Sequence, residues 1–401
     1  MGGGGEFTEG EMNSGRSLLS QILTYMPKYK FDKIIEKYKG NYKAQEFSCW
    51  EQYVCMVFAQ LTYRESLRDI ASCFEAFGSK LYHCGIKSKV AKSTLAYWNE
   101  KTTWNIYCEY AQYLIDYARK LYKGNNDFLA ELDATVYAFD STTIDLCLNL
   151  FPWAKFRKKK GAIKAHTLID LDGNIPTWIF ITEGSVHDVN ALDHLPIEAG
   201  AYYVMDKGYV DFKRLYRITQ ESATWITRAK DNMKFKRLYS AVNDRSTGVI
   251  CDQTIVLLGF YSKKDYPDKM RRIKYKDFET NITYEFITNN FKTEAINICK
   301  LYKQRWQVEL FFKWIKQNLR IKVFYGTSKN AVYTQIWIAI SVYVLIAIIK
   351  KELNSKYSMN QILQILSVGV FEKIELNQAF TKIETSDKIT DKLKQLILFD
   401  S

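Results

Sequence analysis

A mixed α/β sheet behind an all-helical N-terminal region, with a β-rich segment set into it, is the fold class this sequence predicts. Three observations predict it. Apolar residues recur at i, i+3 and i+4 from about Leu19 to Lys123. After "GNND" (124–127) the text changes to short runs rich in Val, Ile, Thr, Tyr and Trp, bounded by Gly, Asn or Asp. One segment between two such runs, "VDFKRLYRITQ", returns to the helical period, as a crossover between parallel strands requires.

In order along the chain, "MGGGGEFTEGE" (1–11) reads as a linker or cloning scar, and a native start is expected at Met12. Residues 12–125 read as a helical domain, with amphipathic stretches such as "WEQYVCMVFAQL" and "LRDIASCFEAF". Within it, residues 65–100 read as a helix, a Gly-containing turn and a second helix capped by Ser93, with Lys92 just ahead. That is the layout of a helix-turn-helix, which makes Lys92 and Ser93 candidate DNA contacts; an ordinary helical bundle is the plain alternative. Residues 126–350 carry the sheet. Its five expected strands lie in "TVYAFDST", "KAHTLIDL", "PTWIFITEG", "AYYVMDKGY" and "ATWITRAK", with "DGN" (172–174) as a hairpin turn between the second and third. Residues 231–290 form the β-rich insertion, with strand-like "QTIVLLGFY", "RRIKY" and "ITYEFITNN", and 351–401 read as a small helical segment.

Composition narrows the function. A chain of 401 residues that is 47% hydrophobic holds two or three packed domains. A net charge of +13 and a pI near 9.1 fit a polyanionic partner, nucleic acid before membrane. The apolar run "IWIAISVYVLIAII" (336–349) is shorter than the roughly 20 residues a bilayer span needs, so it reads as a buried core helix and no membrane partner is expected. Eight cysteines without a CxxC pair argue against a zinc site and for a reducing compartment. Four histidines leave Ser-His chemistry poorly supplied, and His166 and His187 read as core histidines before they read as groups orienting a water or phosphate.

The chemistry is carried by acids. Asp140 in "FDST" and Asp206 in "MDKGY" end two expected strands, and strand ends of an open α/β sheet converge on one crevice. In "YKQRWQVELFFKWIK" (302–316), Tyr302, Arg305, Glu309, Lys313 and Lys316 project within roughly 80° of one another, setting one carboxylate in a basic stripe. Each feature has a bland explanation: strand caps for the aspartates, an Arg305–Glu309 ion pair on a solvated helix for the stripe. Taken together, the three carboxylates suit hard divalent ions and phosphodiester chemistry, and the cations suit phosphates. Asp133 is a rival to Asp140, and Asp188 and Asp211 are lesser candidate ligands.

The spacing of Tyr302, Arg305, Glu309 and Lys316 fits YxxRxxxExxxxxxK, and with Asp140 and Asp206 the chain from about Leu19 to Leu353 resembles the DDE transposases of the insertion-sequence-four family. The resemblance implies an RNase H-like core with the β insertion between the second Asp and the Glu. It implies two Mg²⁺ or Mn²⁺ ions held by Asp140, Asp206 and Glu309, with Tyr302, Arg305 and Lys316 on DNA phosphates. The implied activity is cut-and-paste transposition: strand cleavage at terminal inverted repeats, a hairpin intermediate, then strand transfer into target DNA. The implied setting is a homodimer on double-stranded DNA in the bacterial cytoplasm, at the nucleoid.

One departure concerns the hairpin. Relatives that form it stack a flipped base on a tryptophan in the insertion, and this chain has none between Trp225 and Trp306; Phe260, Tyr261, Tyr275 and Phe278 are the available aromatics. The loop "FPWAKFRKKKGAIKAH" adds Arg157, Lys158, Lys159, Lys160 and Lys164 beside Asp140 as candidate phosphate contacts. Two other readings share these features: a DNA-binding protein derived from a transposase but without catalysis, and a metal-dependent structure-specific nuclease on the same fold.

Overall fold

The computed structural model describes residues 15–42, 44–157, 160–319, 321 and 323–380. The expected scar therefore lies outside the described residues, as does the end of the C-terminal segment.

Helices precede the first strand, as the apolar spacing predicts. Several begin on sequence signals: Ser48 with Glu51 and Ser66 with Asp69 form capping boxes that start helices Cys49–Leu61 and Leu67–Ala76. Phe31, Trp50, Tyr53, Tyr107 and Tyr110 pack as an aromatic cluster where helices Lys28–Tyr38, Cys49–Leu61 and Asn105–Tyr122 meet. Buried Gln52 is satisfied there, donating to Asn99 at 2.7 Å and accepting from the Tyr107 hydroxyl at 2.6 Å.

Two expectations in this region are corrected. Ser93 is not the cap: the helix runs Lys92–Lys101 with Ala91 at the N-cap and no side-chain capping bond, so Ser93 lies inside the first turn, exposed beside Lys92. The tight turn of a helix-turn-helix is also absent. Phe77 to Ala91 form a long connection with two 3-10 turns, pinned by Glu51, which accepts from the Lys87 and Ser88 amides.

The strands are β1 (Val136–Leu146), β2 (Lys155–Arg157), β3 (Lys160–Asp170), β4 (Ile175–Glu183), β5 (Tyr202–Met205), β6 (Thr224–Arg228), β7 (Phe235–Ala241), β8 (Val249–Leu257), β9 (Met270–Lys276) and β10 (Thr283–Thr288). They form one sheet in the order β2-β3-β1-β5-β6-β10-β9-β8-β7, with β4 on β3. β1, β5 and β6 are mutually parallel, and helix Phe212–Gln220 makes the crossover between the last two. The "DGN" hairpin joins β3 to β4, closed by the pair Asp170–Ile175 with Asn174 in the left-handed region. The insertion is built of β7–β10 and continues the main sheet, because β10 pairs antiparallel with β6. β2 and β7 lie where no strand was expected.

The apolar run lies in a 24-residue helix, Lys329–Glu352, buried from Ala331 to Ile349. It is the one helix among the described residues long and apolar enough to cross a bilayer, and its apolar window is entirely covered by protein. It packs among the N-terminal helices and the helix carrying Glu309, so Leu18, Tyr53, Leu114, Val136, Phe311 and Val344 belong to one continuous core on one face of the sheet. A second core on the other face holds Phe139, Tyr203, Met205, Leu215 and Trp225. All eight cysteines are free, four of them buried as packing residues.

Candidate active site

Strand register sets the first two acids. The parallel β1–β5 ladder ends at Phe139–Met205, and the β5–β6 ladder includes Val204–Ile226. One step beyond that ladder stand Asp140 and Asp206, and the same row continues to Arg228 on β6. Side chains alternate along a strand, so these three share the face of Ala138, Val204 and Ile226, which is the face of the larger core. On that face lies helix Trp306–Asn318, which buries Val308, Phe311, Phe312 and Ile315 and turns Glu309 toward the row. Asp140 and Glu309 thus meet from a strand and a helix, with Asp206 on the neighbouring strand in the same row.

Arg305 joins two of them. Its Nη1 donates to Asp140 Oδ2 at 3.0 Å and its Nη2 to Glu309 Oε1 at 2.7 Å, with the side chain only 15% exposed. The expected Arg305–Glu309 pair is present, but it faces the sheet and not solvent. Asp206 has separate partners: the Tyr302 hydroxyl donates to its Oδ1 at 3.3 Å, and Arg228 Nη2 lies 3.5 Å from the same oxygen. Burial holds the Asp140 carboxyl up at about 6, and nearby Asp206 and Glu309 push the same way, against the Ser141 amide and Arg305. Burial likewise pushes the Tyr302 hydroxyl up to about 12, so it stays a donor.

The expected single helix is interrupted at this point. Helix Ala295–Gln304 ends and Trp306–Asn318 begins on either side of Arg305, whose amide bonds Tyr302 O and whose carbonyl takes the Val308 amide, both three residues away. The tightened turn keeps Arg305 in helical dihedrals, and it still makes the i,i+4 pair with Glu309.

Three carboxylates offer hard oxygens, the donor chemistry a divalent cation takes, and a cationic group already lies between two of them, so the residues fit such an ion. Among the described residues no three or more His, Cys, Asp and Glu side chains stand close enough together to hold a metal ion, and at this site Arg305 lies between Asp140 and Glu309.

The other acids separate by role. Asp133 sits in the turn ahead of β1, with φ 46°, and Asp211 caps helix Phe212–Gln220 through the Arg214 amide. Asp188 is closer: its Oδ1 accepts from Ser141 Oγ at 2.8 Å and pairs with Lys164 at 3.2 Å. Lys164 accordingly leaves the exposed set, being buried on β3 and also donating to Val186 O at 2.8 Å. His166 is fully buried on Thr182, the core role expected of it. Arg157, Lys160 and Lys313 are exposed, and Lys316 is half-buried. Lys158 and Lys159 lie outside the described residues. Of the insertion aromatics, Tyr275 is buried, whereas Phe260 and Tyr261 are 79% and 77% exposed and Phe278 also faces solvent.

Sequence reasoning missed Arg228 and Tyr209. Arg228 follows from the strand-end rule that found the aspartates, since "TWITR" ends the third parallel strand. Tyr209 is buried, packed on Phe139 near the aspartates, and nothing in "DKGY" marks it.

Residues 131–345 match the family described as Transposase DDE domain, and residues 14–87 match a Domain of unknown function (DUF4372). A protein of Sinorhizobium fredii named as transposase y4zB is 36% identical over 218 residues, which are 54% of this chain and 61% of that protein. A protein of Geobacillus stearothermophilus named as transposase for insertion sequence element IS5377 is 30% identical over 207 residues, 52% of this chain and 54% of that protein. The match thus spans less than two thirds of either relative. A piggyBac transposase synaptic complex with hairpin DNA aligns at TM-score 0.45 and 12% identity, over 96% of this chain and 86% of that one.

Proposed function

The chain belongs to the transposase DDE domain family, and from that membership we propose that it is a DNA transposase that cleaves the terminal inverted repeats of an insertion sequence and joins the freed ends to target DNA. The observation that carries this reading is the meeting of Asp140 and Glu309 on one guanidinium, with Asp206 one strand away on the same face.

The family implies dependence on a divalent metal. In our reading Asp140, Asp206 and Glu309 hold two Mg²⁺ or Mn²⁺ ions on an RNase H-like core, β4-β3-β1-β5-β6, with β7–β10 as its insertion. Such ions, when bound, would supply charge neutralisation at the phosphodiester and at the departing 3′ oxygen. The chain's part is to place the DNA. Arg305 on two of the acids, Lys313 and Lys316 farther along its helix stripe, and Arg157 and Lys160 on β2 and β3 supply cations for phosphates, with Lys158 and Lys159 between them in sequence. Tyr302 keeps its proton and orients Asp206.

Water attack at the element end breaks the bond to the 3′ oxygen and leaves a free 3′ hydroxyl. Attack by that hydroxyl on the opposite strand forms a hairpin and releases the flanking DNA with its own 3′ hydroxyl; a second water then opens the hairpin, and the restored 3′ hydroxyl attacks a target phosphodiester, displacing a target 3′ hydroxyl. Phe260, Tyr261 and Phe278 are the exposed insertion rings on which a flipped base would stack. Residues 12–125, including Lys92 and Ser93, serve as the helical DNA-binding domain, 126–350 as the catalytic domain and 351–401 as an accessory segment. A homodimer on two element ends, in the bacterial cytoplasm at the nucleoid, completes the proposal.

The test is Glu309→Gln with a labelled terminal-repeat duplex and Mg²⁺ or Mn²⁺. Binding should persist while nicks, hairpins and joined products fall by at least about 100-fold, the scale of losing a group used in the transition state. Cleavage at the wild-type rate would remove Glu309 from the catalytic set. Cleavage without any joined product would favour the structure-specific nuclease.

A further inference from the structure

We infer that Arg305 is an internal counter-ion that keeps Asp140 and Glu309 closed to a divalent ion until a DNA phosphate draws its guanidinium away, so that DNA binding and metal binding favour one another. This rests on the metal-binding reading of the three carboxylates given above.

The geometry is one of direct competition. Arg305 occupies Asp140 Oδ2 and Glu309 Oε1 at 3.0 and 2.7 Å, so a cation shared by these two carboxylates would have to compete with its guanidinium. A planar guanidinium spans two carboxylates as a compact ammonium does not. Asp206 has its own partners in Tyr302 and Arg228, although the Arg305 guanidinium also lies 5.7 Å over the Tyr302 ring.

Two features leave Arg305 free to exchange partners. Its Nε is buried with no hydrogen-bond acceptor, so the present seat satisfies only the two terminal nitrogens. It also stands at the break between two helices, where the flanking bonds span three residues. A phosphate is the natural competitor, because it offers the guanidinium a bidentate partner and itself benefits from the exposed Lys313 farther along the stripe. Once Arg305 leaves, Asp140 and Glu309 face one another without their shared cation, Arg228 remaining only beside Asp206, and the repulsion between the two favours metal. Linkage makes the effect mutual: whatever factor DNA adds to metal affinity, metal adds to DNA affinity.

The experiment measures Mn²⁺ binding to the full chain by the electron paramagnetic resonance of free Mn²⁺, with and without a terminal-repeat duplex, after subtraction of the duplex alone. DNA should tighten Mn²⁺ binding by about tenfold or more in the wild type, within the usual range of coupling between sites. Arg305→Gln without DNA should bind Mn²⁺ at least about fivefold tighter than wild type and gain little more from DNA. Arg305→Lys, which retains charge but not the fork, should fall between the two. Glu309→Gln and Asp206→Asn should lose the ion in both states; if they bind like wild type, the metal reading fails by itself. If those two lose the ion while Arg305→Gln is no tighter than wild type, the counter-ion role is overturned and the metal reading stands. A mutation-free arm covers misfolding: wild-type DNA affinity at constant ionic strength should rise with Mn²⁺ by the same factor, and an unchanged affinity overturns the coupling.

Discussion

At the scale of single residues, a buried histidine on β3 decides how stability responds to protons. Burial depresses His166 from 6.5 to about 4; Asp188, 4.0 Å away, pulls the other way and Lys164 adds to the depression. The unfolded chain takes up a proton near 6.5 and the native chain only near 4, so this contribution is complete above 6.5 and is lost as pH falls through that window. Between pH 7.5 and 5 the wild type should lose about 2 kcal/mol through His166. His166→Gln, which keeps a partner for Thr182, should remove that slope from urea midpoints measured at the two pH values. Equal slopes in the two proteins would mean that His166 is not the group responsible. The buried neutral histidine was legible in "KAHTLID" as a core position. The joining of Asp140 to Glu309 by Arg305 was not, because it depends on how a helix docks on a strand 165 residues away and no periodicity encodes that.

Secondary elements show where sequence pattern carries information and where it stops. The β3–β4 hairpin was visible as "DGN", yet the need for Gly173 comes from elsewhere: a Cβ there would fall on Tyr122, whose hydroxyl is fixed on Ala347 O at 2.9 Å. Gly173→Ala should therefore cost about 1–3 kcal/mol, as overpacking does; a loss below about 0.5 kcal/mol in chemical denaturation would show that Tyr122 yields easily. β2 and β7 escaped because "KFR" and "FKRLYSA" lack an apolar alternation, being edge or near-solvent strands whose pairing comes from their partners. The insertion's place in the sheet was hidden for a related reason, since composition does not say that β10 pairs with β6. The β2–β3 rim supports a prediction of its own. Replacing Lys158, Lys159 and Lys160 by alanine should weaken DNA binding and reduce the slope of log K against log salt by up to about 0.9 per lost phosphate contact. An unchanged slope would leave this loop merely solvated.

Across the whole molecule, the long apolar helix decides how the parts behave together. Reading the sequence in segments suggested a helical domain followed by a sheet domain, but Lys329–Glu352 buries its side chains against both. Tyr122 in the last N-terminal helix donates to Ala347 O, Asn330 donates to Asn99 and Thr102 carbonyls, and Trp104 packs on Tyr333. The same core reaches Val136 and Ala138 on β1 and Phe311 beside Glu309. A helix that contributes to two units couples their stabilities, because neither can lose it without exposing apolar surface. Leu345→Ala, at a fully buried position, should cost about 2–5 kcal/mol. That loss should appear equally in amide hydrogen exchange of helix Cys49–Leu61 and of strands β1 and β5. Independent domains predict the opposite, with protection falling in the N-terminal helix while the strands keep theirs. The equal outcome carries a consequence for the acids, since Asp140 and Glu309 are then held in register by a core that extends through the N-terminal helices. A chain cut after Lys123 should accordingly lose the protection of β1, even though every acidic residue of the site lies beyond the cut.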